Sequence, residues 1–357
     1  MKGLILAGGH GTRLRPLTST GNKHMIPVAN QPILYYGLKQ LAQAKITEVA
    51  IVLGTIHEGI REGVGDGSAF GIHTTYIEQG PPKGLAHAVL CARKFLGDDP
   101  FIMYLGDNLL EQGLESFVEL YRNNSPDAVL AVTAVPEPRR YGVVEMEGSS
   151  IISIEEKPRY PKSNLALVGV YVFSPRIHAI IEHLQPSARG ELEITDAIRS
   201  LVDSGGRVLV QQVFGWWKDT GTPEDLLEAN DLVLNSRAAD SFKREGRISS
   251  AASLRGRVAV GPDSVIEEGA EIEGPAVLGS GVRVTNGTTI GPETAIGNHV
   301  ELRSCSIRRS IVLDGARIVG PVRIVDSLIG RNVTVHGSIA SAREISLMVG
   351  DASHVRL

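Results

Sequence analysis

KGLILAGGHGTRLRP, residues 2–16, decides the first half of the fold. KGLILA has strand character and runs into three closely spaced glycines, followed by Thr12 and Arg13. Glycine reaches backbone angles that other residues resist, so strands often stop on such a turn. A glycine turn after a strand also lets backbone N–H groups approach an anion closely. Neither familiar phosphate template is met: Leu14 stands where G-x-G-x-x-G needs glycine, and no Gly-Lys-Ser/Thr follows. A plain turn and a phosphate cradle both remain open on the glycines alone. Arg13, whose guanidinium pairs with phosphate oxygens, favours the cradle.

Working outward, apolar runs alternate with helical patterns. EVAIVLG, HTTYIEQ and FIMYLGD read as further strands, and ILYYGLKQLAQA and GLAHAVLCARKFL as helices. Repeated strand–helix–strand order implies a Rossmann-like α/β fold, a mostly parallel mixed sheet with helices on both faces. From Tyr141 onward, GVVEME, SIISIEE and ALVGVYVF look like strands, and helices are expected near 176–184 and 192–204. TPEDLLEAND opens a last helix with Thr222 as N-cap and Pro223 in the first turn. This catalytic region is expected to span 1–240, with the polar stretch 241–257 as a linker.

Beyond the linker the period changes to six. Val260, Ile266, Ile272, Leu278, Val284, Ile290, Ile296 and Leu302 recur without a slip, each followed four residues later by a small or β-branched residue. A hexad of this kind means three short faces per coil with an aliphatic residue pointing inward from each, a parallel β-helix. The coil is expected over 258–345, with 346–357 as a C-terminal tail.

The totals narrow the function. The 357 residues allow two domains, and 42% hydrophobic with 21% charged residues is an ordinary globular balance. A net charge of −4 supplies no basic field for nucleic acid. Two cysteines far apart, Cys91 and Cys305, form no disulfide framework. With no leader-like segment at MKGLILAGG and no stretch of membrane-span length, a cytoplasmic protein without membrane partners is expected.

Ligands of parallel sheets bind beyond the carboxyl ends of the strands. The glycine loop is so placed, and so is Asp107 in FIMYLGDN. Asp219 in WWKDTGTPEDL follows two tryptophans and precedes a helix. Two separated acids can share one Mg²⁺, whose other ligands are water and phosphate oxygens. Together with the glycine loop they suggest phosphoryl transfer.

Taken in order, GGHGTRLRPLT, Lys23, IPVANQPILYY, LGDN, EEKP, RGELEITDAI and KDTGT resemble the sugar-phosphate nucleotidyltransferases. Within them the chain is similar to the long-form glucose-1-phosphate thymidylyltransferases, which carry a C-terminal left-handed β-helix. The resemblance implies a reaction of dTTP with glucose 1-phosphate that yields dTDP-glucose and pyrophosphate, assisted by Mg²⁺, in a homo-oligomer. It also implies roles by motif. Leu6, Gly8, Gly9, Gly11, Thr12 and Arg13 would embrace the nucleotide triphosphate, joined by Lys23, while Gln79, Gly84 and Leu85 receive the base. Tyr141, Gly142, Glu156, Lys157, Val168, Arg189 and Trp217 match the sugar-phosphate side, and Asp107 and Asp219 the metal. Arg13, Lys23, Lys157 and Asp107 carry the catalytic weight in this scheme. Two departures stand out: Asn22 precedes the lysine where a proline is usual, and Gln31 takes a common lysine position. UTP in place of dTTP, acyl transfer on the β-helix through His299 or His336, and a non-catalytic sugar-nucleotide sensor are the alternatives.

Overall fold

The computed structural model describes residues 1–57, 59–236, 241–338 and 343–357. By contacts the chain forms two compact units that cut across chain order: Met1–His10 with Ile33–Asp219, and Gly11–Pro32 with Thr220–Leu357.

The first unit is built on a nine-stranded sheet. Its strands are β1 (Lys2–Ala7), β2 (Glu48–Leu53), β3 (His73–Glu78), β4 (Phe101–Leu105), β5 (Ala128–Ala134), β6 (Gly142–Glu147), β7 (Ser150–Glu156), β8 (Leu165–Phe173) and β9 (Val208–Gln212). The order is β7-β6-β8-β4-β1-β2-β3, with β5 pairing β8 and β9 pairing β5. β1 pairs in parallel with β2 and β4, and β2 with β3. β8 runs antiparallel to β4, β5 and β6. Residues 4–7 of β1 are buried, which is why that strand reads as an unbroken apolar run.

Helices α1 (Ile33–Gln43), α2 (Leu85–Cys91), α3 (Arg176–Glu182) and α4 (Ile194–Asp203) belong to this unit. Ala86, Ala88 and Val89 of α2 join Leu4, Leu6, Met103, Ile177 and Ile198 in one core. The helix foreseen in GLAHAVLCARKFL is broken at Ala92, and Arg93–Leu96 forms a separate turn. Strands β5 and β9 carry no signal in the reading above, although both pack into the same sheet.

The second unit is a three-sided parallel β-helix with faces of seven, six and six strands. The inward hexad residues Val260 to Leu302 are all at most 3% exposed. After Leu302 one residue drops from the turn, so Cys305 takes the small inward position and Ser306 turns outward into the ladder Thr289–Ser306–Arg323. The stretch expected as a linker is instead the first coil: Arg247–Ile248 pairs with Val265–Ile266, and Ser253–Arg255 with Glu271–Glu273. Ile248 and Leu254 extend the hexad backward among polar outward neighbours, which mask it. The tail likewise forms a coil, with Met348–Val349 and His354–Arg356 paired onto the strands before them. The boundary at 240 and the coil at 339–342 lie outside the described residues.

The outward columns of the three faces differ. One reads Arg247, Val265, Arg283, Glu301, Arg317, Thr334, His354. A second reads Ser253, Glu271, Thr289, Ser306, Arg323, Glu344. The third is Ala259, Val277, Ala295, Ile311, Leu328, Met348. An apolar column on one face means that face is covered. Helix α5 (Pro223–Ser236) packs on it at Thr294–Ile296. Thr222 caps that helix as expected, its hydroxyl accepting from Asp225 N at 3.2 Å. Among the described residues no helix is long and apolar enough to cross a membrane.

Candidate active site

In the first unit, the parallel pairing of β1, β2, β3 and β4 brings their carboxyl ends to one edge of the sheet. Gly8 and Gly9 follow β1, Gln79 follows β3, and Asp107 follows β4. The edge is tied together by backbone bonds from Gly106 N to Leu6 O and from Gln79 N to Leu53 O, both 2.9 Å. The Leu6 side chain is buried, and its carbonyl is taken by Gly106 N.

Gln79 has a fixed amide. Its Nε2 donates to the Gly84 carbonyl at 3.0 Å and faces His87 Nδ1 at 3.3 Å. A carbonyl accepts only, so Nε2 and not Oε1 must point there, and Oε1 is turned to Gly8. Burial and the charge of Lys83 lower the His87 pKa, which keeps a lone pair on the ring for that contact. Gly84 has φ +100, and a Cβ there would lie 2.4 Å from Leu192 O. Only glycine lets this turn pass beneath the 189–193 loop, to which Ala86 N also donates at 3.1 Å. Leu85 packs against the core.

The two acids are neighbours through a short ribbon. Asn108–Leu110 pairs antiparallel with Trp217–Asp219, placing Asp219 opposite Asn108 and one residue from Asp107. Asn108 Nδ2 donates to Asp107 Oδ1 at 3.0 Å, and Trp217 Nε1 donates to Asn108 Oδ1 at 2.6 Å. Among the described residues no group of three or more metal-ligating side chains occurs. One carboxylate on the last rung and one on the residue just before the ribbon would suit a hard cation that takes its remaining oxygens from water and phosphate.

The sugar-phosphate candidates also converge. Tyr141 meets Trp217 edge-on at 5.1 Å between ring centroids. Gly142 pairs with Glu156 across β6 and β7. Lys157 adopts φ 46, its N–H donating to Tyr141 O at 3.0 Å. Glu156 Oε1 lies 3.7 Å from Lys157 Nζ and 3.6 Å from an Arg189 nitrogen, and Arg189 reaches buried Glu193 at 3.3 Å. Burial pushes the Glu156 carboxyl pKa up, against the pull of Lys157. Val168 is the exception: its side chain is fully buried in β8, so only its main chain faces outward chemistry.

Gly11, Thr12, Arg13 and Lys23 belong to the second unit. Gly11, at φ 62, opens the turn Thr12–Leu14, in which Thr12 and Arg13 are exposed while Leu14 is buried. The Thr18 hydroxyl donates to Gly11 O at 2.7 Å and closes the loop. Asn22, in place of the usual proline, caps the turn Lys23–Met25: its Oδ1 accepts from His24 N at 2.8 Å. Gln31 sits in the hairpin formed with Pro27–Val28. On the β-helix, His299 and His336 are both exposed, one in a turn and one on a strand.

Asn108, His87 and Glu193 escape the sequence reading. Asn108 stands beside Asp107 in the same LGDN motif, and His87 lies three residues after Gly84. Only the ribbon and the helix α2 register show what they hold.

Residues 2–236 match the nucleotidyl transferase family. Over the whole chain the sequence is 47% identical to a glucose-1-phosphate thymidylyltransferase of Streptomyces griseus, covering 99% of that protein. It is 43% identical, again over the whole chain, to a thymidylyltransferase of the same description from Streptomyces antibioticus. The low-salt glycan biosynthesis nucleotidyltransferase Agl11 of Haloferax volcanii is 43% identical over the full length of both chains. Among solved structures, a Bacillus anthracis protein assigned as a glucose-1-phosphate thymidylyltransferase aligns with TM-score 0.62 and 39% identity, over 64% of this chain and 94% of that one. A UDP-glucose pyrophosphorylase bound to UDP-glucose aligns with TM-score 0.59 and 28% identity, over 66% and 99%.

Proposed function

The chain belongs to the nucleotidyl transferase family, and from that membership we propose that it joins dTTP to α-D-glucose 1-phosphate, releasing pyrophosphate and dTDP-glucose. The observation that carries this reading is the full-length likeness to two glucose-1-phosphate thymidylyltransferases.

The proposed step is one displacement. A sugar 1-phosphate oxygen attacks the α-phosphorus of the nucleotide, the new P–O bond forms, and the bond to the bridging oxygen of pyrophosphate breaks. A phosphate monoester is anionic at neutral pH, so the attacking oxygen needs no base. The work left to the protein is positioning and charge stabilisation. Arg13 and Lys23 neutralise the triphosphate and the departing pyrophosphate. Lys157 and Arg189 hold the sugar phosphate, and Glu156 accepts from sugar hydroxyls. Gln79 Oε1 accepts the ring N–H of the pyrimidine. A divalent cation, Mg²⁺ in this reading, would be held by Asp107 and Asp219 and would offset phosphate charge.

Thymine and uracil differ by one methyl group, worth about 1–3 kcal/mol in a pocket. The similarity to a UDP-glucose pyrophosphorylase makes UTP the second substrate to try. A matrix of nucleoside triphosphates against sugar 1-phosphates, read by pyrophosphate release, tests the proposal. The highest kcat/KM is expected for dTTP with glucose 1-phosphate. Turnover confined to another pair would overturn the substrate assignment, and no turnover with any pair would overturn the enzyme reading.

A further inference from the structure

The segment Gly11–Pro32 carries Arg13 and Lys23, and by contacts it belongs with the β-helix. It is pinned at two points. At the first the Thr20 hydroxyl donates to the Asp351 carboxylate at 2.7 Å. Beside it, Gly350 lies so close to Pro16 that a Cβ would meet Pro16 Cβ at 2.9 Å and Pro16 O at 3.0 Å. Asp351 is itself fixed, accepting from Arg331 N at 2.6 Å within the coil. At the second, Asn30 Nδ2 donates to Ile296 O at 2.6 Å. Ala29 N donates to Asn230 Oδ1 at 2.9 Å, and Asn230 Nδ2 donates to Glu293 O at 2.9 Å. Asn230 is fully buried, so its amide is a satisfied bridge between the hairpin, α5 and the coil.

From the first anchor a short path leads back to Gly11 and Arg13. Two residues before Thr20, Thr18 bonds Gly11 O, and Gly11 opens the turn that presents Arg13. A Cβ on Gly11 would touch Lys23 Cβ and Thr18 Cγ2, both at 3.0 Å. A shift of Thr20 therefore reaches Gly11 through packed atoms.

We propose that the last coil of the β-helix, through Asp351 and Gly350, is a positioning element for the nucleotide-binding loop. The appended domain then sets how tightly the nucleotide is held, a role apart from carrying any chemistry of its own. The inference rests on the reading of Arg13 and Lys23 as nucleotide contacts.

The test uses the full-length protein and the variants Thr20→Val, Thr20→Ser, Asp351→Ala and Gly350→Ala. A lost hydrogen bond of ordinary strength corresponds to about a three- to tenfold change. Thr20→Val, Asp351→Ala and Gly350→Ala should raise KM for dTTP by that factor while KM for glucose 1-phosphate stays within about twofold. Thr20→Ser, which keeps the hydroxyl, should restore the wild-type value. Amide hydrogen exchange provides a readout independent of turnover: exchange over 11–23 should quicken in Thr20→Val, while the inward strands from 260 to 302 stay protected. Unchanged exchange in the loop, an unchanged nucleotide KM, or equal rises in both KM values would overturn the proposal. Wild-type protein without activity would instead count against the substrate reading, and the exchange measurement would still decide the positioning role.

Discussion

Asp219 stands on the strand rung opposite Asn108, and so beside Asp107, although 112 positions separate the two acids in the chain. The Asn108 amide links Asp107 to the Trp217 indole, donating to Asp107 through Nδ2 and accepting from Trp217 through Oδ1. That arrangement brings the motifs LGDN and WWKDTGT together in space.

Asp107→Asn should keep the fold and lose most turnover, about a hundredfold or more in kcat. Asparagine still accepts a hydrogen bond but brings no charge to a cation. Steady-state rates at saturating Mg²⁺ check this, with a thermal melt as the control for folding. Wild-type kcat in the variant would remove Asp107 from the cation site.

Gly84 O and His87 hold the donor side of the Gln79 amide, leaving Oε1 beside Gly8, where the proposed reading has it meet the base. Thymine presents a ring N–H at that edge, whereas cytosine presents a lone pair. His87→Leu removes one of the two acceptors that fix Nε2 and leaves the Gly84 carbonyl as the other, so the preference for dTTP over dCTP should fall, by up to about tenfold in kcat/KM. His87→Gln keeps an acceptor and should retain most of the preference. An unchanged ratio in His87→Leu would show that Gln79 is oriented by Gly84 alone.

Lys157→Ala should raise KM for the sugar phosphate far more than for the nucleotide, and should lower kcat as well. Lys157 and Arg189 share Glu156, so removing the lysine leaves a half-buried carboxylate with one cation fewer. Varying each substrate at saturation of the other separates the two constants. An effect confined to the nucleotide KM would move Lys157 to the other side of the site.

Much of the fold is legible in the sequence because burial on both faces leaves β1, β2 and β4 as apolar runs, and because inward hexad residues repeat without a slip up to Leu302. The first and last coils are less so. Their inward residues Ile248, Leu254, Val349 and Val355 are only partly buried, and all but Val349 sit among polar or charged neighbours. The site is legible as a set of motifs, since glycine, arginine and aspartate keep their chemistry wherever they stand. The partners that orient them are not: Asn108 and His87 act through a ribbon register and a helix turn that residue type alone does not encode. The apolar column Val277, Ala295, Ile311, Leu328 was available in the hexad itself, at the one outward position that carries no charge.

Asp231 on α5 faces Glu293, Arg309 and Asp326 of the β-helix, with Arg309 3.6 Å away. Burial, reinforced by Glu293, raises its pKa to about 7. A carboxyl with a raised folded-state pKa binds its proton more tightly when folded, so its contribution is fullest below its unfolded value and is lost as pH rises through about 7. Between about pH 4 and pH 7 the stability of the second unit should therefore decline by roughly 1–2 kcal/mol from this group, after screening. Denaturant melts across that range should show the slope in the wild type and a flatter one in Asp231→Asn. Equal slopes would mean that Arg309 neutralises Asp231 fully.

The chemical step itself is open to a stereochemical test. A covalent nucleotidyl-enzyme would need a nucleophile near the glycine loop, and His10 is the histidine that stands there. His10 Nε2 lies 3.0 Å from the Thr55 hydroxyl. A hydroxyl is a weak orienting partner compared with the carboxylate that activates a histidine in nucleophilic catalysis. The sugar phosphate arrives already charged, so in the proposed reaction the attacking oxygen needs no base. One displacement inverts configuration at the α-phosphorus, whereas two displacements through an enzyme intermediate retain it. Running the reaction with a nucleotide made chiral at the α-phosphorus by sulfur should give inversion, and His10→Ala should keep kcat within about tenfold, the loss of one loop contact. Net retention, or labelled nucleotide trapped on His10 in the absence of sugar phosphate, would replace the direct displacement by a double one.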